Sequence, residues 1–260
     1  MVCKNCEATF EGKFCSNCGQ KADVHRITIK HLFHELFHAV THADKGILLL
    51  AKSLITRPGH IAREYIDGKR KTYFNPLSFL VITAAISAYV IHAAGYYEAM
   101  SYRPQSAQTA EYREPPSEGQ LAFFKLMSEM GKISMNNEKV LELLLIFPLM
   151  AFFTWLLFGR KKANFAENLV LSSFIMGQFN IVMTVFFIPA FLLAKDTAQM
   201  NNNVSKVFLL IYMTIAYRQF FKQNIFLTIL KAALVIVLYI LFFWAILVGY
   251  ILIRDQIIGH

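Results

Sequence analysis

Past Asn75 the chain is dominated by apolar runs too long for the buried helices of an ordinary soluble domain. Residues 76–97 give 22, residues 140–158 give 19, residues 169–194 give 26 and residues 226–253 give 28. Crossing the hydrocarbon core of a bilayer takes about 20 apolar residues in a helix. In that solvent the backbone must satisfy its own hydrogen bonds, which excludes open strands and irregular segments. A fifth run, 204–217, has only 14 residues. Lys206 and Arg218 beside it can snorkel to the headgroups, so a span over about 204–220 is expected. The prediction is an all-α integral membrane protein with about five transmembrane helices, at about 76–97, 140–158, 169–194, 204–220 and 226–253. Together they form a domain covering residues 75–260. Composition agrees: 56% of residues are hydrophobic and 17% charged, with a mean hydropathy of +0.43, well to the apolar side of a soluble domain.

Basic residues set the orientation. Lys69, Arg70 and Lys71 precede the first span, Arg160, Lys161 and Lys162 fill the second connection, and Arg218 and Lys222 follow the fourth run. The connection 98–138 has four basic and six acidic residues and lacks this bias. Five spans with a cytoplasmic N-terminus and an external C-terminus satisfy the alternation. A re-entrant fourth segment would bring the C-terminus inside. The opening MVCKNCEATF has no apolar core of a signal peptide and reads as a retained N-terminus. The net charge of +9 then expresses the inward basic bias and an attraction to anionic lipid headgroups. Nucleic acid is not an expected partner, because no soluble basic face is evident.

All four cysteines lie in the first 18 residues, as Cys3-x-x-Cys6 and Cys15-x-x-Cys18. Each pair can present two thiolates to one tetrahedral Zn²⁺, and two pairs complete its shell. Gly19 suits the tight turn that follows such a pair. A disulfide is the alternative, but the inferred cytoplasm is reducing. Only Phe10 and Phe14 are available to bury here, worth about 5 kcal/mol together, whereas structural zinc contributes ~10–16 kcal/mol in small domains. Residues 1–22 are therefore read as a structural zinc ribbon with a closed shell.

Residues 26–74 join the ribbon to the bilayer. A helix is expected from about Thr28 to Arg57, ended by Pro58-Gly59 and interrupted near Asp44-Lys45-Gly46. Leu32, Phe33, Leu36, Phe37, Val40, Ile47, Leu50 and Leu54 make one side greasy. Such an amphipathic juxtamembrane helix lies in the headgroup plane or packs on the spans. We expect the greasy flank to press into the leaflet. On its other side, at ~100° per residue, fall His31, His34, His38 and His42 beside Glu35. His34-Glu35-x-x-His38 matches the zinc-peptidase pattern, in which two histidines bind metal and the glutamate activates water. Its third ligand is not evident, Glu64 and Asp67 being the candidates. The same row could form a second, non-catalytic metal site or respond to pH. A plain polar face explains all four histidines. A second short helix is expected over 61–67, ended by Gly68, with Asn75-Pro76 as N-cap and first residue of the next helix.

The stretch from Arg26 to Pro76 carries Arg57-Pro58-Gly59, Glu64-Tyr65, Gly68-Lys69-Arg70 and Asn75-Pro76 after the ribbon and the histidines. This succession resembles a family of uncharacterised bacterial membrane proteins, domain-of-unknown-function family 3667. The ribbon resembles the double zinc-knuckle ribbon common at bacterial N-termini. The resemblance implies a multi-pass protein of the bacterial inner membrane and no particular activity. Beyond Leu77 it extends only to generic helices.

Within the spans, Ser173, Gly177, Asn180 and Thr184 share one face and read as a helix-packing seam. Gln178 lies on another face and needs a partner. Pro148 and Pro189 should kink their helices. Lys231 and Glu142 are expected to snorkel, residues 101–117 to form a flexible loop, and residues 121–130 to form a surface helix. The functional expectation is a non-enzymatic interaction or regulatory module, its ribbon docking a protein partner or the chain's own inner loops. A membrane metallopeptidase and a small-solute or lipid transporter are the alternatives. One structural zinc is expected, with a second site only if the histidine row binds metal.

Overall fold

The structure is a computed structural model that describes residues 1–30, 32, 46–101, 118–194 and 197–258. His31, His34, Glu35, His38 and His42 fall outside the described residues, as do Asp44, Lys45 and 102–117 of the expected flexible loop.

Beyond the cysteine unit at residues 1–22, the described elements are helices. In chain order they are α1 (Gly46–Thr56), α2 (Pro58–Asp67), α3 (Pro76–Ala93), α4 (Tyr96–Ser101), α5 (Glu118–Asn136), α6 (Glu142–Phe158), α7 (Phe165–Leu193), α8 (Ala198–Phe221) and α9 (Ile225–Ile258). Three of them are long and apolar enough to cross a membrane: α3, α7 and α9 over Ile225–Gln256. Helices α1 and α6 are apolar but shorter. Helix α8 is long enough, but it opens with the polar turns AQMNNN, which dilute its apolar stretch.

Contacts at the helix ends define two ends of the bundle. At one end Arg26 and Ile27 of the linker meet the start of α7, α2 meets the close of α8, and the cysteine unit lies against Gly68 and Thr72 just after α2. At the other, the Tyr96 hydroxyl approaches the Ala198 carbonyl oxygen at 3.5 Å. There too Arg254 of α9 reaches Glu129 of α5 at 2.6 Å, above a patch of Met130, Phe243, Leu247 and Ile251. Helix α5 is thus the expected surface helix in longer form, lying on the far half of α9.

Helix boundaries follow the local chemistry. The Asn75 side chain accepts a hydrogen bond from the Ser78 amide at 3.1 Å, and Pro76 takes the first position, where its missing N–H is no loss. Gly68, at φ +127°, closes α2. Helix α7 begins with a capping box. Asn164 Oδ1 accepts from the Glu167 amide, and Glu167 Oε2 accepts from the Asn164 amide, both at 2.8 Å.

The seam predicted on α7 packs against α3. A Cβ at Gly177 would stand 2.5 Å from the Phe79 ring, so only glycine lets the two helices approach this closely. Ser173 and Asn180 are fully buried along the same face. Gln178 is buried on the other side, with its Oε1 unbonded.

Both prolines sit just past a five-residue π-helical stretch, Glu142–Ile146 before Pro148 and Met183–Phe187 before Pro189. The residue preceding each proline closes a wide turn: Phe147 N–H bonds the Glu142 carbonyl, and Ile188 N–H bonds the Met183 carbonyl. Proline cannot donate, and its ring would collide with the carbonyl four residues back. Widening the helix by one residue relieves that collision.

Two expectations are corrected here. Glu142 does not snorkel: it is 4% exposed, and its Oε1 accepts from Asn180 Nδ2 at 2.9 Å, tying α6 to α7. The alternative to water was a carboxamide already inside the bundle. In the described part of the linker, the greasy flank is also not simply pressed into lipid. Leu50, Leu54, Ile61 and Tyr65 are buried in one core with Phe174, Tyr212 and Phe220. Leu48 and Ile55 remain exposed on the other side.

Candidate metal centre and its docking face

The cysteine unit is built twice over from the same turn. Cys3 N–H bonds the Ala8 carbonyl and Glu7 N–H bonds the Cys3 carbonyl. Cys15 N–H and Gly19 N–H repeat the pattern with Gln20 and Cys15. Each loop passes through a left-handed residue just after its second cysteine, Gly19 at φ +69° and Glu7 at φ +62°. Glycine takes that conformation readily, whereas Glu7 holds it at some cost. Phe10 packs under Cys3 and Cys15. Phe14, expected inside, is 56% exposed, so Phe10 is the one aromatic ring in an apolar floor completed by Ala8 and Ala22.

The four Sγ atoms lie within 4.8 Å of one another. Cys3–Cys18 and Cys6–Cys15 are each 3.6 Å apart. A disulfide would bring sulfurs to ~2.05 Å, and the four thiols are free. Sulfurs at the corners of a tetrahedron ~2.3 Å from a central ion are about 3.8 Å apart. The cluster therefore has the size and donor set of a metal site. The Ala8 amide, with Asn17 assisting, pushes the Cys6 thiol down to about 6. At Cys18 the Gln20 amide works the same way, but burial and the neighbouring thiols outweigh it and push the group up to about 11. Negative charge gathered at the first thiols to ionise opposes ionisation of the last, and a central cation removes that conflict.

The unit is fastened to the bundle. Asn5 lies inside the first Cys-x-x-Cys loop, where its own amide points at Cys3 Sγ (3.4 Å). Its Oδ1 accepts both the amide and the hydroxyl of Thr72, each at 3.0 Å. Lys4 lies against Gly68, where an added Cβ would stand 3.0 Å from its side chain. Arg70 donates to the His25 carbonyl at 2.6 Å. Arg26 forks onto Glu167 at 2.7 and 3.1 Å, and Asn164 Nδ2 donates to the Ile27 carbonyl at 3.1 Å.

The patterned segment itself is a docking element. Pro58 starts α2, and a Cβ at Gly59 would overlap the Ala216 carbonyl oxygen and stand 2.6 Å from Phe220 N. The Gly59 amide donates to Gln219 Oε1 at 3.0 Å. Arg63 donates to the Phe220 carbonyl at 2.9 Å, with its guanidinium 4.0 Å above that ring. Tyr65 is buried edge-on to Phe174 at 5.9 Å. Glu64 gathers Arg57 (2.8 Å), Lys69 (3.4 Å) and the Tyr73 hydroxyl (2.7 Å). Burial would raise its carboxyl, but Tyr73, Lys69 and Arg57 prevail and hold it below the usual carboxylate range. Glu64, a candidate third ligand for a peptidase, is thus occupied by three donors.

Of the residues expected at the site, the four cysteines come together. Lys69 and Arg70 serve local contacts, while Lys71, Arg160, Lys161 and Lys162 sit at the same end of the bundle. The residues missed were Asn5, Thr72, Arg26 and Glu167. The N-x-x-E spacing of Asn164 and Glu167 is the one signal that could have disclosed part of this set.

The geometry thus defines a class: a helical bundle of membrane-spanning character that carries a four-cysteine unit clamped to one end. Residues 44–88 match the family described as "Protein of unknown function (DUF3667)", which supports membership of the family that the RPG, EY, GKR and NP pattern resembles. No curated protein and no solved structure matches the chain.

Proposed function

We propose that the protein is a non-enzymatic regulatory module of a bacterial plasma membrane. In this reading Zn²⁺ on Cys3, Cys6, Cys15 and Cys18 holds an N-terminal ribbon against the cytoplasmic ends of five spans, α3, α6, α7, α8 and α9. The basic clusters support the orientation. Lys69–Lys71, Arg160–Lys162, Arg218 and Lys222 all collect at the end where the cysteine unit sits, as the positive-inside bias requires. The partners that contact α8 at its opposite ends, Tyr96 at one and Thr56 at the other, support a crossing by that helix as well. A reducing cytoplasm keeps the thiols available for metal, and zinc suits four thiolates with no position left open for a substrate.

The observation that carries the reading is the pair of hydrogen bonds from Thr72 to Asn5. A loop whose shape depends on the metal is bonded directly to the family segment. Metal occupancy is thereby transmitted to the connection that leads into α3, and a docking partner would sense it there. Metal analysis of the purified chain tests this. One zinc per chain is expected, lost in Cys15→Ser and Cys18→Ser and retained in His38→Ala. A second zinc that disappears with His38→Ala would instead favour the peptidase reading, and no zinc at all would overturn both.

A further inference from the structure

The four sulfurs of the cysteine unit are not equally sheltered. Cys3 and Cys15, which open their loops, are 3% and 2% exposed. Cys6 and Cys18, which close them, are only half-buried. The 3.6 Å contacts run between the loops, Cys6 to Cys15 and Cys18 to Cys3. Each accessible sulfur thus has a sheltered sulfur of the other loop against it. Holding a metal requires four sulfurs close together, but not this alternation. It is the arrangement that thiol oxidation needs, with one thiolate open to the oxidant and a second poised to resolve the product. Metal coordination keeps thiols ionised, and the thiolate is the form that reacts.

Two features give such a reaction a consequence. Phe10 with Ala8 and Ala22 is all that packs beneath the loops, so the ligands themselves carry most of the cohesion. Asn5, inside the first loop, bonds Cys3 Sγ through its amide and Thr72 through its side chain. All four cysteines of the chain lie in this unit, and no thiol elsewhere competes.

We propose that hydroperoxides oxidise the unit to the cross-loop disulfides Cys6–Cys15 and Cys3–Cys18, expelling the metal and releasing Thr72. This rests on the zinc-held clamp proposed above and names what regulates it. The Cys6 thiolate attacks the terminal oxygen of the peroxide. An S–O bond forms, the O–O bond breaks, and the departing alkoxide or hydroxide takes a proton from water. Cys15 Sγ then attacks the sulfenic acid at Cys6. The S–S bond forms, the S–O bond breaks, and hydroxide leaves. Together the two sulfurs have given two electrons to one peroxide. Cys18 and Cys3 repeat the sequence. Each pair closes from 3.6 Å to ~2.05 Å, and after the first disulfide two thiolates remain, too few for a closed shell. Cellular thiols reverse the disulfides by exchange, so the response is transient.

The zinc-loaded full chain is treated with hydrogen peroxide beside a colour-forming zinc chelator, blocked with an alkylating agent and cut with trypsin. Cleavage after Lys4, Lys13 and Lys21 leaves Cys3 on one peptide, Cys6 on a second, and Cys15 with Cys18 on a third. Zinc should be lost, one per chain, as the second peptide joins the third through Cys6–Cys15 and the first joins it through Cys3–Cys18. Amide exchange at Thr72 should rise on oxidation. Dithiothreitol with added zinc should restore both the metal and the protection. Disulfides chiefly within a loop, or spread evenly over all pairings, would overturn the proposal. So would zinc retained after the disulfides form, zinc lost with sulfinic acid and no disulfide, or a Thr72 amide still protected after oxidation. Zinc content before treatment, and Thr72 exchange after chelation alone, report on the clamp reading separately.

Discussion

Gly59 and Glu64 show how single residues hold the family segment in place. At Gly59 the backbone of α2 meets that of α8 with no room for a methyl group, and the obstacles are main-chain atoms that cannot swing aside. Gly59→Ala should therefore cost about 2–3 kcal/mol or more of stability. Gly249→Ala, where the space is open, should be neutral or stabilising; denaturant unfolding of the two variants checks both. Glu64 acts through charge. Its folded carboxyl is held below its unfolded value, so its contribution is present above the unfolded pKa of ~4.3 and is lost as pH falls through the folded one. Glu64→Gln should flatten the acid limb of a stability-against-pH curve. An unchanged limb would mean that the three donors contribute nothing.

At the scale of the element, what was legible followed from local rules, and what was not depended on a neighbour. Apolar length marked α3, α7 and α9; Asn75-Pro76 and Gly68 marked helix ends; the spacing of Ser173, Gly177 and Asn180 marked the seam. Pro148 and Pro189 announced a disturbance, but not that it would be a π turn. Glu142 was misread because its position near the end of an apolar run suggested a route to water. The sequence held no sign that Asn180 of another helix would meet it. Leu50 and Leu54 were misread for a related reason, since an apolar stripe looks the same whether lipid or α8 covers it. The capping box at the start of α7 joins both kinds of information, for Asn164 caps its own helix and also holds Ile27 of the linker. Asn164→Ala should cost about 1–2 kcal/mol. It should also raise proteolytic cutting near residues 23–28, whereas a variant that lost stability alone would be cut throughout.

For the molecule as a whole, the central claim is that the metal-bound cysteine unit and the family segment form one clamp on the ribbon-side end of the bundle. Neither part accounts for the other's sequence alone. Gly68 answers both to the closing turn of α2 and to Lys4, and Thr72 meets Asn5 inside the first cysteine loop. The unit has one buried aromatic ring of its own; on the proposed reading its fold depends on the ion, and the clamp should open when the ion leaves. Amide hydrogen exchange across 68–79 before and after chelation measures this most directly. The account predicts that the Thr72 amide is protected in the zinc-loaded protein and exchanges freely once zinc is removed. The Phe79 amide, bonded within α3 to the Asn75 carbonyl at 2.9 Å, should stay protected throughout. Thr72 remaining protected after complete removal of the metal would contradict it.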